Sequence, residues 1–365
     1  MDKDYSLEIT KDYLKQKSEN RFTGFDFLRA IFSVVVVALH SNIFNLLSGK
    51  TQWSFVSNIL TMNVGYVAVP VFIQISLFLF FINSKKFGSH YFTQKRFPKL
   101  ISLYLFWMIS KTLFDALFGN IEAIKLGLSS FDRFILFIVS GGHTIFYFFP
   151  CLLFLTAIAQ SFNYLMDHVK KTSAKKLSYY LLFLSSVLVF SFPIIDLLNR
   201  RESFSQIINY FNFLPYIFIA AIVALEFGEG KLENLSTSLK LKMLSLSILA
   251  VLFMIIEWKI FENFPDRSRL FPHYARLSLT FVSWLLLYLA LLFTQRVPTI
   301  IRLISQYSLG IYGFHIFFTD HTSFLDSLSQ IIPGLGAVIK FLVALTCSIA
   351  LTFVFKQIKV LRNFV

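Results

Sequence analysis

Two histidines and a run of cations stand out in a chain that is otherwise mostly apolar. The segment FDFLRAIFSVVVVALHS carries Asp26, Arg29 and His40. Read as a helix, Arg29 and His40 return to nearly the same face about 16 Å apart along the axis, with Ser33 and Val36 between them. The segment SLGIYGFHIFF carries Ser308, Tyr312 and His315 on one helical face, at spacings of four and three. Imidazole changes charge near neutral pH, so a buried His suits proton transfer. If both helices cross in the same sense, the two imidazoles lie at similar depth and share one cavity. Interhelical hydrogen bonds account for His40, Tyr312 and His315 as an alternative, and snorkelling accounts for Arg29. The segment SKKFGSHYFTQKRFPKL holds Lys85, Lys86, Lys95, Arg96 and Lys99. Clustered Lys and Arg can hold phosphate groups. A solvated loop that sets topology has the same composition.

Other polar residues point less sharply. Asp115 follows Lys111 by four residues, so it pairs with that lysine or faces a substrate. His143 follows Gly141-Gly142 and is placed to gate an entry. Arg269, His273 and Arg276 cluster near one end of a span, where they bind an anion or anchor the membrane edge. His90 reads as exposed, and His168 and His321 are assigned nothing. The chain has no Gly-rich phosphate loop, no zinc-type His/Cys spacing and no G-x-S-x-G signature, so no metal is expected.

These residues need elements to carry them, and composition says which. Of 365 residues, 56% are apolar and 15% charged; mean hydropathy is +0.67 and Phe supplies 46 residues. Too few charges remain to cover a soluble protein of this size, which excludes a cytosolic enzyme, a disordered chain and a nucleic-acid-binding module. The class is all-α: a polytopic integral membrane helix bundle and one domain over 1–365. A spanning helix needs about 20 apolar residues. Ten segments qualify: 22–46, 62–83, 100–118, 143–165, 178–198, 207–227, 239–258, 274–294, 299–319 and 334–356. The apolar stretch 131–140 suits a short interfacial helix. The net charge of +14 reads as a topology signal. With ten spans and the polar residues 1–21 as a cytoplasmic tail, 22 of the 34 Lys and Arg lie in inside segments and eight in outside ones. Both termini are therefore expected in the cytoplasm, and no cleavable signal peptide is expected. Cys151 and Cys347 sit in apolar runs and read as small core residues.

The chain resembles the acyltransferase-3 family of bacterial membrane-bound O-acyltransferases. FDFLRAIFSVVVVALHS is similar to that family's first helix, with its Arg-x10-His spacing at Arg29 and His40. VPVFIQISLFLFFIN is similar to its second helix, with Leu77 where the family usually has Gly. KRFPKLISLYLFW resembles its basic entry to the third helix, with Lys99 where Arg is common. SLGIYGFHIFF resembles its late Tyr-x-x-His helix. The resemblance implies transfer of an acyl group, most often acetyl, from a cytoplasmic acyl-CoA to a hydroxyl of a cell-surface polysaccharide or lipid-linked sugar, in the inner membrane. On that reading His40 is the general base or a transient acyl carrier. Arg29 holds the donor or polarises its carbonyl. Arg96 and Lys99, with Lys95 beside them, grip the CoA phosphates. Tyr312 and His315 shape the pocket or relay a proton. Acetyl-CoA, the glycan acceptor and membrane lipid are then the partners; nucleic acid is not. The alternatives are a transporter or flippase for a lipid-linked saccharide, a glycosyltransferase using outer acids such as Asp266, Asp320 and Asp326, and a non-catalytic subunit that retains the fold.

Overall fold

A computed structural model of the chain describes residues 22–44, 54–88, 90–119, 121–199, 210–232, 235–262, 273–293, 296–322, 325, 332 and 334–365. The five N-terminal cations, Lys50, Arg200, Arg201, Arg267, Arg269, Asp266 and Asp326 lie outside the described residues. The described residues form helices and turns, with no strand among them. In chain order the helices are α1 (Thr23–His40), α2 (Ser54–Ile59), α3 (Tyr66–Phe87), α4 (Phe97–Leu117), α5 (Glu122–Gly127), α6 (Phe131–Val139), α7 (Phe148–Asp167), α8 (Lys171–Asn199), α9 (Leu214–Gly228), α10 (Thr237–Glu262), α11 (Leu277–Leu292), α12 (Thr299–Thr319) and α13 (Leu335–Gln357).

Among the described residues, eight stretches are helical, long and apolar enough to cross a membrane. They correspond to eight of the ten expected segments, and the other two segments are helices as well. The segment 274–294 holds α11, which at 16 residues is shorter than a typical span. The segment 299–319 coincides with α12, which has the length, but its first half is too polar to qualify by composition. The apolar stretch at 131–140 is the short helix α6.

Burial sorts the bundle into a centre and a shell. Two thirds of the spanning stretch is buried in α3 and in α9, against 17% in α10. α3 packs on α1, α7, α9 and α11, and α12 lies between α1 and α13. α10 turns Leu241, Leu244 and Ile248 outward, as a lipid-facing helix must. α3 is apolar round most of its circumference because neighbours pack on several sides of it. It begins with a π-helical turn, Leu60–Gly65, and carries Pro70 inside. Wide turns of this kind re-aim the residues that follow and recur at functional sites. A side chain at Gly65 would begin 2.9 Å from the Leu39 side chain, so glycine lets the turn press on α1 beside His40.

Two small residues seat the helices that carry the histidines. A Cβ on Gly24 would fall 2.1 Å from the Ala290 carbonyl oxygen, so α1 and α11 meet there backbone to backbone. A Cβ on Gly313 would fall 2.2 Å from the Trp107 ring. Trp107 is fully buried and donates from its indole to the Phe364 carbonyl at 3.2 Å, tying α4, α12 and the C-terminal turn together. Polar ties do similar work. Glu257 and Arg276, both almost fully buried, pair at 2.8 Å, and Arg276 donates to the Met62 carbonyl at 2.5 Å and to Asn63 at 2.6 Å, which pins the π-helical turn. Glu226 takes Lys175 and Lys242, each at 2.8 Å, and Tyr288 at 2.5 Å, joining α8, α9, α10 and α11. Cys151 and Cys347 are free thiols.

Candidate active site

α1 and α12 run parallel and are tied at two levels. At one end the Ser305 hydroxyl donates to Asp26 at 2.7 Å. Further along, His40 Nδ1 and His315 Nε2 are 2.7 Å apart, with the rings within 8° of parallel. His315 is fully buried, and its Nδ1 lies 3.1 Å from the Ile311 carbonyl oxygen. A carbonyl only accepts, so that nitrogen carries the proton. In the neutral ring Nε2 then holds a lone pair, and His40 Nδ1–H donates to it. His40 is left with a free lone pair on Nε2, the state a general base needs. His40 lines a cavity of about 460 Å³ with Asn42, Thr61, Tyr66, Tyr147 and Tyr312.

A second cavity, about 330 Å³, lies nearer the start of α1 and α12. Arg29, Arg96 and Lys99 line it together with Ser76, Ser308 and Tyr312, and no carboxylate does. Its remaining walls are apolar, among them Phe72, Leu103 and Phe149. Arg96 closes a π-helical turn, Phe92–Arg96, that leads into α4. Pro98 sits in the first turn of α4, where its missing N–H costs no helical bond. Arg96 Nη2 donates to Ser76 Oγ, while its Nε has no partner among the described residues. The Arg29 guanidinium has no hydrogen-bond partner among the described residues, so its donors remain available to a ligand. Lys95 does not line this cavity; its ammonium lies 4.7 Å from the centre of the Phe87 ring. Leu77, where the resembled family has Gly, is fully buried beside Ser76.

Tyr312 lines both cavities. Its hydroxyl donates to the Ile145 carbonyl at 2.6 Å and its ring packs on Phe148 and Phe149. It is the partition between the cationic cavity and the histidine. Beyond His40, the turn Ile145–Tyr147 separates its cavity from a third, which His143 and Asp320 line.

The other polar residues fall into place by contact. Lys111 pairs with Asp115 at 2.5 Å and with Asp320 at 3.1 Å, and His321 meets Asp115 at 2.8 Å. His321 was assigned nothing from sequence because its partner is far away in the chain. Arg276 is committed to Glu257 and Asn63 inside the bundle, so it is not an exposed anion site. His273, just before α11, stacks on Tyr66 with ring centres 4.2 Å apart. Burial, reinforced by the Arg276 charge, pushes its pKa down to about 4. His90 and His168 are exposed. No group of three or more His, Cys, Asp or Glu suited to a metal ion occurs among the described residues.

A family model described as an acyltransferase domain matches residues 22–356, nearly the whole chain. No curated protein and no solved structure matches it.

Proposed function

The chain belongs to this acyltransferase family, and from that premise we propose that it moves an acyl group, in the first place acetyl, from an acyl-CoA to a hydroxyl of a glycan or lipid-linked sugar. The carrying observation is Tyr312, which joins a cationic, carboxylate-free cavity to the cavity of His40. CoA has an anionic head separated from its thioester by a long thin arm. In this reading Arg29, Arg96 and Lys99 hold the head, and the arm runs along the apolar wall toward Tyr312. Guanidinium groups bind phosphate by two-pronged hydrogen bonds, and Lys99 adds a point charge. About 16 Å of helix separates Arg29 from His40, too far for Arg29 to polarise a carbonyl attacked beside His40. Arg29 therefore serves the donor's head.

His40 Nε2 takes the proton of the acceptor hydroxyl as its oxygen attacks the thioester carbonyl. The carbon–sulfur bond breaks, CoA leaves as a thiolate, and the proton held by His40 returns to sulfur. His315 fixes the His40 tautomer and steadies the imidazolium through the same hydrogen bond. The balance of Lys and Arg along the chain supports a cationic cavity on the cytoplasmic side of the cytoplasmic membrane, with both termini there. The test is acyl transfer by the purified protein in lipid vesicles, with radiolabelled acetyl-CoA and a crude surface-glycan fraction. Wild type is expected to transfer or hydrolyse label, His40→Ala to lose that activity while folded, and Arg29→Ala to need more donor. A wild type that neither binds nor turns over acetyl-CoA overturns the reading.

A further inference from the structure

The third cavity, about 550 Å³, lies at the end of α12 away from Arg96 and Lys99. Its lining differs in kind from that of the cationic cavity. Asp320 contributes the carboxylate, no Lys or Arg lines it, and Ser140, His143, Thr144 and Tyr210 supply further polar groups. The protons of those hydroxyls are already committed to backbone carbonyls. Ser140 donates to Phe137 at 3.2 Å, Thr144 to Gly141 at 2.6 Å, and Tyr210 to Val139. Ser140 Oγ also accepts from the His143 backbone N–H at 3.1 Å, so it is spent within the loop; what Thr144 and Tyr210 have left to offer is lone pairs. His143 Nδ1 lies 3.2 Å from Ser140 Oγ. With the serine proton on Phe137, Nδ1 would carry the hydrogen and Nε2 would hold a lone pair. Asp320 shares the Lys111 ammonium with Asp115, so one lysine faces two carboxylates and negative charge is left over.

The loop that presents these groups is tightly built. Gly141, Gly142 and His143 all have left-handed backbone, with φ of 65°, 72° and 58°. A Cβ on Gly141 would fall 2.2 Å from the Tyr147 nitrogen, so the loop is pressed onto the turn that also walls the His40 cavity. A non-glycine residue held in that conformation carries strain that the surroundings must impose.

We propose that this cavity is the sugar subsite for the acceptor and that it selects uncharged polyhydroxyl sugars over acidic ones, with Asp320 and His143 reading the hydroxyls. The inference rests on the acyltransferase reading and adds the acceptor's chemistry to it. A lining of lone pairs and one carboxylate calls for a ligand that donates hydrogen bonds. A phosphate or uronate would meet the Asp320 carboxylate, whose only cation among the described residues, Lys111, is shared with Asp115, and would find no Lys or Arg in the lining to pair with. The shared wall, Ile145 and Tyr147, sets a sugar seated here beside His40. The two ends of the path thus carry opposite signs, one for the anionic donor and one against it.

The test compares methyl β-glucoside with methyl β-glucuronide, which differ in a single carboxylate, as acceptors of radiolabelled acetyl from acetyl-CoA in vesicles. The glucoside is expected to accept at least about tenfold faster at equal concentration. Asp320→Asn is expected to bring the two rates severalfold closer; Lys111 keeps Asp115 as its partner, which protects the fold. His143→Asn, whose new side chain tolerates left-handed backbone, is expected to raise the glucoside KM. A glucuronide that accepts as well as the glucoside overturns the proposal. So does a rate ratio unchanged in Asp320→Asn, or no acceptance of either sugar by protein that still hydrolyses acetyl-CoA. If acetyl-CoA is neither bound nor hydrolysed, the acyltransferase reading falls and this one with it.

Discussion

His315 lines none of the three cavities and reaches the reaction through its hydrogen bond to His40, which makes it separable from His40 by experiment. The bond between His40 Nδ1 and His315 Nε2 is 2.7 Å long, with His315 fully buried and His40 half-buried at the cavity wall. His315→Ala leaves the His40 Nδ1–H without an acceptor and frees the ring to change tautomer. A buried donor stripped of its partner costs about 1–3 kcal/mol. If that cost falls on the transition state, kcat drops about 5- to 150-fold, since about 1.4 kcal/mol is a factor of ten. Removing the base itself in His40→Ala should cost about 10²–10⁴. The assay is single-turnover acetyl transfer in vesicles at saturating acetyl-CoA. His315→Gln supplies a side-chain oxygen that can accept from Nδ1–H, and it should recover part of the loss. The double variant should be as slow as His40→Ala alone, because His315 has no other route to the reaction. Multiplied losses in the double variant, or a His315→Ala loss in donor KM with kcat intact, would refute this division of roles.

Arg29→Ala should raise the acetyl-CoA KM about tenfold or more, the worth of one charge-assisted hydrogen bond, with little change in melting temperature, because Arg29 has no hydrogen-bond partner among the described residues to strand. Tyr312→Phe removes the bond to the Ile145 carbonyl and should loosen the partition; acetyl-CoA hydrolysis without an acceptor should rise, read as free CoA released per transfer. Glu257→Ala removes the carboxylate paired with the buried Arg276 charge and should destabilise the protein by about 3–5 kcal/mol, measured by thermal unfolding in detergent. His273 has a folded pKa of about 4, below the ordinary value of 6.5, so the folded state binds fewer protons there. Stability is complete above pH 6.5 and declines as pH falls from there toward 4; His273→Phe should flatten that part of the melting-temperature profile.

The helices and their polar faces were legible because a bilayer leaves few options: about 20 apolar residues make a helix, and a buried ionisable group must face protein or a cavity. Every expected segment holds a helix. Helical arithmetic also put Tyr312 and His315 on one face of α12 and Arg29 and His40 on one face of α1. What stayed hidden was which long-range partner each group takes. Lys95 looked equivalent to Arg96 by position, yet the π-helical turn sends it to Phe87 and sends Arg96 to Ser76. Asp320 and His321 carried no local pattern, because Lys111 and Asp115 meet them only through tertiary packing. Arg276 read as a membrane-edge cation because its partner Glu257 lies on a different helix.

The separation of charge along α1 and α12 has a consequence for direction. Arg29, Arg96 and Lys99 sit on one side of Tyr312, and His40 sits on the other. An anionic donor gains by keeping its head among those cations and loses by advancing toward Asp320. The part that needs to reach His40 is the uncharged thioester end. A neutral sugar is drawn to the opposite end, where lone pairs and a carboxylate await hydroxyl donors, and it gains nothing in the cationic cavity. In the reading proposed above, charge holds the donor at its end, hydrogen bonds hold the sugar at the other, and the reacting atoms meet at the histidine between them. Reversing the Asp320 charge tests this directly. Asp320→Lys should weaken acetyl transfer to the neutral glucoside and improve transfer to the glucuronide, while the acetyl-CoA KM, set at the other end, stays within about twofold. A large rise in the acetyl-CoA KM in that variant would mean that the two ends are not independent.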